Sequence, residues 1–320
     1  MEAIYENIFG NGSLNPNLNL TDYFSPEYIT TYPNIPLVIS YFLLSVFGLL
    51  GNALVMYIFL RHAKIRTVSN IYIFNMAIGD ILLMLVLPFL ATQEAMTKWS
   101  FGILWCKIIL AVESINPIAC IFFVTVMSID RCVVLYRPHL ASRWRKPKVA
   151  VFLSIAVWII SMLSSVPVIL FGTIPEYYNF CQVIWPDRNH NYNYTAFLYY
   201  LGFFQPVLLV VVCMLITAVK AQPPVTPLVP KHKGSDRTRM VVVLFLVYVV
   251  FWLPLHTFNL FYTMSNIDLE SVIGYQLMVH VGTVVAVIPY IKSCIYPIIY
   301  CVLSGDFRQC FCCNKREQQH

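Results

Sequence analysis

Charged side chains are scarce in this sequence: Asp, Glu, Lys and Arg make up 11% of its 320 residues, while 59% are apolar and the mean hydropathy is +0.70. A chain so composed cannot turn a polar surface to water on all sides, which excludes an ordinary soluble domain and leaves a membrane protein. Internal repeats and low-complexity tracts are also lacking; the one Pro-rich stretch, "AQPPVTPLVP" (221 to 230), reads as a flexible loop. No nucleophile–base pair and no cluster of metal ligands emerges, so neither an enzyme nor a metal or cofactor site is expected. Inverted repeats and broken midplane helices, the marks of a transporter, are missing too. Residues 1 to 34 lack an apolar core flanked by bases, so no cleaved leader is expected there.

What is present is a set of apolar runs. A helix needs about 20 apolar residues to cross the hydrocarbon, and seven such runs occur, at roughly 36–60, 70–92, 105–135, 149–171, 196–219, 240–264 and 278–303. The fold class is therefore an all-α membrane protein, a seven-transmembrane helix bundle. It divides into a leading segment (1–34), the bundle (35–303) and a tail (304–320). The bases choose its orientation. With the leading segment outside, 17 of the 21 Lys and Arg fall in the inner loops and tail, as the positive-inside rule requires. Those loops are accounted for by topology, so they give no support to nucleic-acid binding.

The outer segments then carry three Asn-x-Ser/Thr sequons, at Asn11, Asn19 and Asn193, as candidate glycosylation sites. Ten cysteines divide by compartment. Cys106 and Cys181 alone lie near the oxidising side, so a disulfide between them is expected. Cys310, Cys312 and Cys313 follow the last span among aromatic and basic residues, where S-palmitoylation is plausible.

The third run ends in "SIDRCVVLYRP" (128 to 138), which sets Asp130 and Arg131 at the foot of an oily helix. From Cys106 to Arg131 is about 37 Å of helix, the thickness of a membrane with its interfaces. Composition alone allows Arg131 to be one more snorkelling base. The motif, however, resembles the Asp/Glu-Arg-Tyr motif of rhodopsin-like (class A) G-protein-coupled receptors, and it has company. "GNALV" (51 to 55), "NMAIGD" (75 to 80), "WSFG" (99 to 102), Trp158, Pro206, "FWLP" (251 to 254), "YPIIY" (296 to 300) and "SGDFRQCF" (304 to 311) match that family's motifs in order, through every span.

The resemblance implies a switch. Arg131 is held by Asp130 at rest and faces a Gα subunit on activation, while the sixth helix swings about Pro254 beneath Trp252, with Pro297 and Tyr300 completing the set. It also implies a short amphipathic eighth helix, and arrestin as a further partner. Glu113, about two turns or 10 Å below Cys106, is an acid inside an apolar span, costly and functional by default. It reads as a counter-ion for a cationic ligand, oriented by Tyr290, with Trp252, His256, Asn259 and Gln205 as further ligand contacts.

The ligand class follows from absences again. Monoamine receptors present serines where this chain has "AFLYYLGFFQ" (196 to 205), which contains none. The loop "PEYYNFCQVIWPD" (175 to 187) is long enough for a β-hairpin lid like those of peptide receptors. Nine acids against three bases on the outer side would steer a basic peptide inward. The chain most resembles the somatostatin and opioid receptor branch, including invertebrate somatostatin-like and allatostatin C receptors, which implies a cationic neuropeptide ligand and Gi/o coupling. A small-amine receptor is the alternative; an opsin-like photoreceptor or a transporter is more remote. Lys292 lies two residues from the opsin lysine position, about 200° around the helix.

One departure stands out. Asp80 matches the aspartate that binds sodium in most class A receptors, but this chain has Cys120, Lys292 and Tyr296 where the family has further oxygen ligands. Asp80 and Lys292 both lie about 18 Å from the inner face, so an intramembrane ion pair of Asp80 with Lys292 is expected in place of sodium.

Overall fold

A computed structural model describes residues 33–62, 66–176, 179–220, 232–264 and 275–307. In the apolar runs a backbone group has no partner but its own helix, so each run is helical. α1 (Ile35–Arg61) begins at Asn34, whose side chain accepts the Leu37 N–H at 3.2 Å, with Pro36 in the first turn. There follow α2 (Val68–Met96), α3 (Gly102–Tyr136), a short α4 (Pro138–Trp144) and α5 (Pro147–Phe171). Two short strands come next, β1 (Gly172–Thr173) and β2 (Gln182–Val183). The chain continues through α6 (Arg188–Tyr199), a π-helical turn over Tyr200–Phe204, α7 (Gln205–Lys220), α8 (His232–Met264) and α9 (Tyr275–Leu303). Among the described residues, seven stretches are long and apolar enough to cross a bilayer: α1, α2, α3, α5, α6 running through the π turn into α7, α8 and α9.

Three boundaries depart from the apolar count. The fifth span starts at Arg188 instead of 196, because Asp187 caps it through the His190 N–H at 2.8 Å and the polar "RNHNYN" continues the helix beyond the hydrocarbon. The sixth starts at His232 instead of 240 for the same reason, its first two turns being basic and polar. The hairpin opens at Gly172, before the stretch expected to form it, and pairs Gly172 with Val183 and Thr173 with Gln182. A Cβ on Gly172 would lie 2.8 Å from Leu110 Cδ1 and 2.9 Å from the Val168 carbonyl, so the chain can leave α5 this close to α3 only at glycine. Of the eighth helix, Gly305–Phe307 is helical; the rest of it, and Cys310, Cys312 and Cys313, lie outside the described residues, as do Asn11 and Asn19.

The bundle is inside-out relative to a soluble protein. Phe42, Phe47 and Leu50 on α1 and Leu163 and Leu170 on α5 are exposed, facing what would be lipid. Ser45, Asn52, Asp80, Asn116, Lys292 and Ser293 are buried among the helices. Prolines explain part of that interior. A helical proline has no N–H to give to the carbonyl four residues earlier, and in hydrocarbon that carbonyl must find another donor. Pro88 leaves the Met84 carbonyl, which accepts Ser45 Oγ from α1 at 2.8 Å. Pro297 leaves the Ser293 carbonyl, which accepts Asn52 Nδ2 from α1 at 2.9 Å. Pro206 leaves the Gly202 carbonyl, which accepts Tyr248 Oη from α8 at 3.0 Å. Three helix pairs are thus tied by side chains answering carbonyls that prolines expose.

Candidate functional site: a carboxylate-lined cavity at the disulfide end

Cys106, near the start of α3, is bonded to Cys181, with Cα atoms 5.4 Å apart. The loop so pinned is held again by the Cys181 N–H on Gln93 Oε1 at 2.8 Å and by the Trp99 N–H on the Asn179 carbonyl. Beneath it the helices enclose a cavity of about 380 Å³. Glu113, Trp252, His256 and Asn259 all line it, together with Trp185, Tyr194 and Tyr199. The Glu113 carboxylate accepts the Tyr290 hydroxyl, whose ring packs edge-on against Tyr41 at 5.7 Å. Pro117, one turn below, lines the cavity as well, and it deprives the Glu113 carbonyl of its helical N–H. The Trp252 Nε1 and His256 Nε2 atoms, both buried, have no hydrogen-bond partner among the described residues. The cavity therefore offers a carboxylate within a largely aromatic lining. Such an arrangement fits a cation carried on a larger, partly apolar ligand.

Two of the predicted ligand-site residues, Gln205 and Tyr290, are not among the side chains lining the cavity: Gln205 is half-buried where the π turn meets α7, and Tyr290 meets the site through its hydroxyl on Glu113. Asn193 is exposed on α6, in helical backbone. Sequence reasoning did not single out Trp185, Tyr194, Tyr199 or Tyr41. Trp185 lies in the loop before α6, which has no helical period to extrapolate, and Tyr194 and Tyr199 lie on α6, whose polar first turns fall outside the apolar count. Pro117, four residues after Glu113, is a readable signal for an open carbonyl on α3 beside the acid.

Deeper in the bundle a second acid lies closed. Asp80 Oδ1 accepts Lys292 Nζ at 2.9 Å, Asn116 Nδ2 at 3.1 Å and Ser293 Oγ at 2.7 Å. Lys292 reaches Asn116 Oδ1 at 3.3 Å and sits 4.9 Å over the Tyr296 ring, while Tyr296 Oη donates to the Leu244 carbonyl on α8 at 3.0 Å. Asp80 Oδ2 is buried without a hydrogen-bond partner among the described residues, but the Lys292 ammonium already supplies the positive charge that a free monovalent cation would bring. At the opposite end of α3, Arg131 pairs with Asp130 and donates to Ser69 Oγ on α2 at 3.0 Å. Arg145, at the end of α4, adds its charge to Asp130 at 2.9 Å. Pro254 lies within α8, two residues after the buried Trp252, and leaves the Val250 carbonyl without its helical N–H. Pro297 and the buried Tyr300 complete the lower half of α9.

Comparison with known proteins agrees with this architecture. The family model described as 7 transmembrane receptor (rhodopsin family) matches residues 51–300. Somatostatin receptor type 5 of Bos taurus is 39% identical over 279 residues, spanning 85% of this chain and 74% of that protein. Somatostatin receptor type 2 of Mus musculus is 36% identical over 310 residues, 94% of this chain and 82% of its own length.

Proposed function

The chain belongs to the rhodopsin family of seven-transmembrane receptors, and from that premise we propose that it is a plasma-membrane receptor for an extracellular cationic peptide, signalling through heterotrimeric G proteins of the Gi/o class. The disulfide end faces outward and the Arg131 end faces the cytosol, where arrestin also binds; Asn11 and Asn19 carry glycans and the tail cysteines carry palmitate. The observation that carries the reading is Glu113: a carboxylate lining the cavity, with the neutral Tyr290 hydroxyl as its hydrogen-bond partner. A ligand ammonium or guanidinium supplies the missing charge. The hairpin lid and the likeness to somatostatin receptors support a peptide over a small amine.

On the cytosolic side, ligand contact at Trp252 is passed along α8 to its foot, and Arg131, released from Asp130, meets the G protein. The test is to express the full chain with Gα sensors, apply cationic peptides, and compare Glu113→Gln. A response in the parent that falls at least thirtyfold in potency in Glu113→Gln supports the reading, since truncating one partner of a buried charge pair costs about 2–5 kcal/mol. Equal potency in both removes Glu113 from the ligand site.

A further inference from the structure

The foot of α8 is basic, and one of its bases is tied across the bundle. Arg237 Nη2 lies 3.2 Å from Asp306 Oδ2, and the same oxygen accepts Asn70 Nδ2 from α2 at 2.9 Å. Asp306 is itself well anchored. Two residues before it, the Ser304 N–H continues α9 onto the Tyr300 carbonyl at 3.1 Å, and one residue after it Phe307 is fully buried. On its other side α8 is loosely packed: a cavity of about 350 Å³, lined by Arg131, Met214, Thr238 and Val241, separates its foot from α3 and α7. The foot is therefore tethered towards α9 and α2 and unfilled towards α3 and α7. Arg131 meanwhile is engaged by Asp130 on its own helix and by Ser69 on α2.

We infer that Asp306 and Arg237 are positioning residues for G-protein coupling: their ion pair, braced by Asn70, holds the foot of α8 inward, and outward movement of α8 requires it to break. This rests on the coupling proposed above. Arg237 is 26% exposed and Asp306 18%, sheltered enough to exceed a surface pair yet wet enough to open. Loss of the pair shifts the resting balance by about three- to tenfold.

The test uses the full chain in lipid nanodiscs, with spin-labelled amino acids incorporated at Leu135 on α3 and Arg239 on α8. It compares Asp306→Asn, Arg237→Gln and the exchange Arg237→Asp with Asp306→Arg, in which Asn70 can turn its carbonyl oxygen to the new guanidinium. Each single variant is expected to populate a longer α3–α8 distance and to raise ligand-free nucleotide exchange about three- to tenfold, and the exchanged pair to return both towards the parent. Single variants with the parent's distance distribution, or an exchanged pair as open as the singles, overturn the inference. If no protein stimulates nucleotide exchange even with peptide, the coupling reading fails, while the distances, which need neither peptide nor G protein, still decide whether the latch exists.

Discussion

Replacing Lys292 alone should damage the receptor more than replacing Lys292 and Asp80 together. The two groups meet at 2.9 Å with side-chain exposures of 0% and 1%. At an effective dielectric of about 20 their attraction is about 6 kcal/mol, and removing both ions from water opposes it by several kcal/mol each. The pair is thus close to neutral as a whole, kept in place by the Asn116 and Ser293 hydrogen bonds and the Tyr296 ring. Either half alone is a buried, unanswered charge. Lys292→Met and Asp80→Asn should each lose about 3–5 kcal/mol, and the double variant should lose only about 1 kcal/mol, a coupling of about 5 kcal/mol or more. Thermal unfolding of the four purified proteins in detergent measures this.

Ion dependence sharpens the test. In matched sodium and choline chloride the parent should unfold alike, because its cation is covalently attached. Lys292→Asn restores an oxygen beside a bare Asp80 and should gain a sodium-specific stabilisation, about 1.4 kcal/mol when sodium is tenfold above its dissociation constant. Sodium-specific stabilisation of the parent, or a double variant no more stable than the worse single, refutes the reasoning.

Tyr290→Phe should weaken a cationic peptide about fivefold, less than Glu113→Gln, because it removes one neutral hydrogen bond and leaves the charge; concentration–response curves compare the two. Tyr248→Phe strands the Gly202 carbonyl left open by Pro206 and should cost about 1–3 kcal/mol of stability in the same unfolding assay. Cys106→Ser opens a loop whose ends are 75 residues apart, worth about 4 kcal/mol in the loop-entropy account; surface binding of labelled peptide should fall while the helical circular dichroism persists.

What the sequence made legible was whatever a helix reports by length and register. The seven spans follow from apolar runs, and counting along straight helices set Asp80 and Lys292 at one depth. Helix ends were less legible, because hydrophobicity marks where lipid stops and not where the helix does; α6 and α8 both run on through polar turns. Beyond Asp80–Lys292 and Glu113–Tyr290, partners across the bundle were hidden. That Ser45 answers Met84, Asn52 answers Ser293 and Tyr248 answers Gly202 depends on how the helices are rotated against one another, although the prolines that created those needs stand openly in the chain. The Asp306–Arg237 tie joins residues 69 positions apart and carries no local pattern.

The environments of the two carboxylates in the membrane interior support the proposal that Glu113 is a site while Asp80 is structure. Asp80 is buried and met by an ammonium, an amide and a hydroxyl on a single oxygen. A cation reaching it competes with the charge of Lys292, which has nowhere less costly to go inside the hydrocarbon. Glu113 lines an open cavity and meets a neutral phenol, so its charge is oriented without being cancelled. A cation arriving from the disulfide end therefore gains at Glu113 what the chain already supplies to itself at Asp80. Exchanging the two environments should exchange the roles: in peptide-binding and sodium-dependence assays run side by side, Tyr290→Lys would silence the outer cavity towards cationic peptides, whereas Lys292→Asn would open the inner carboxylate to a small ion and leave the outer site intact.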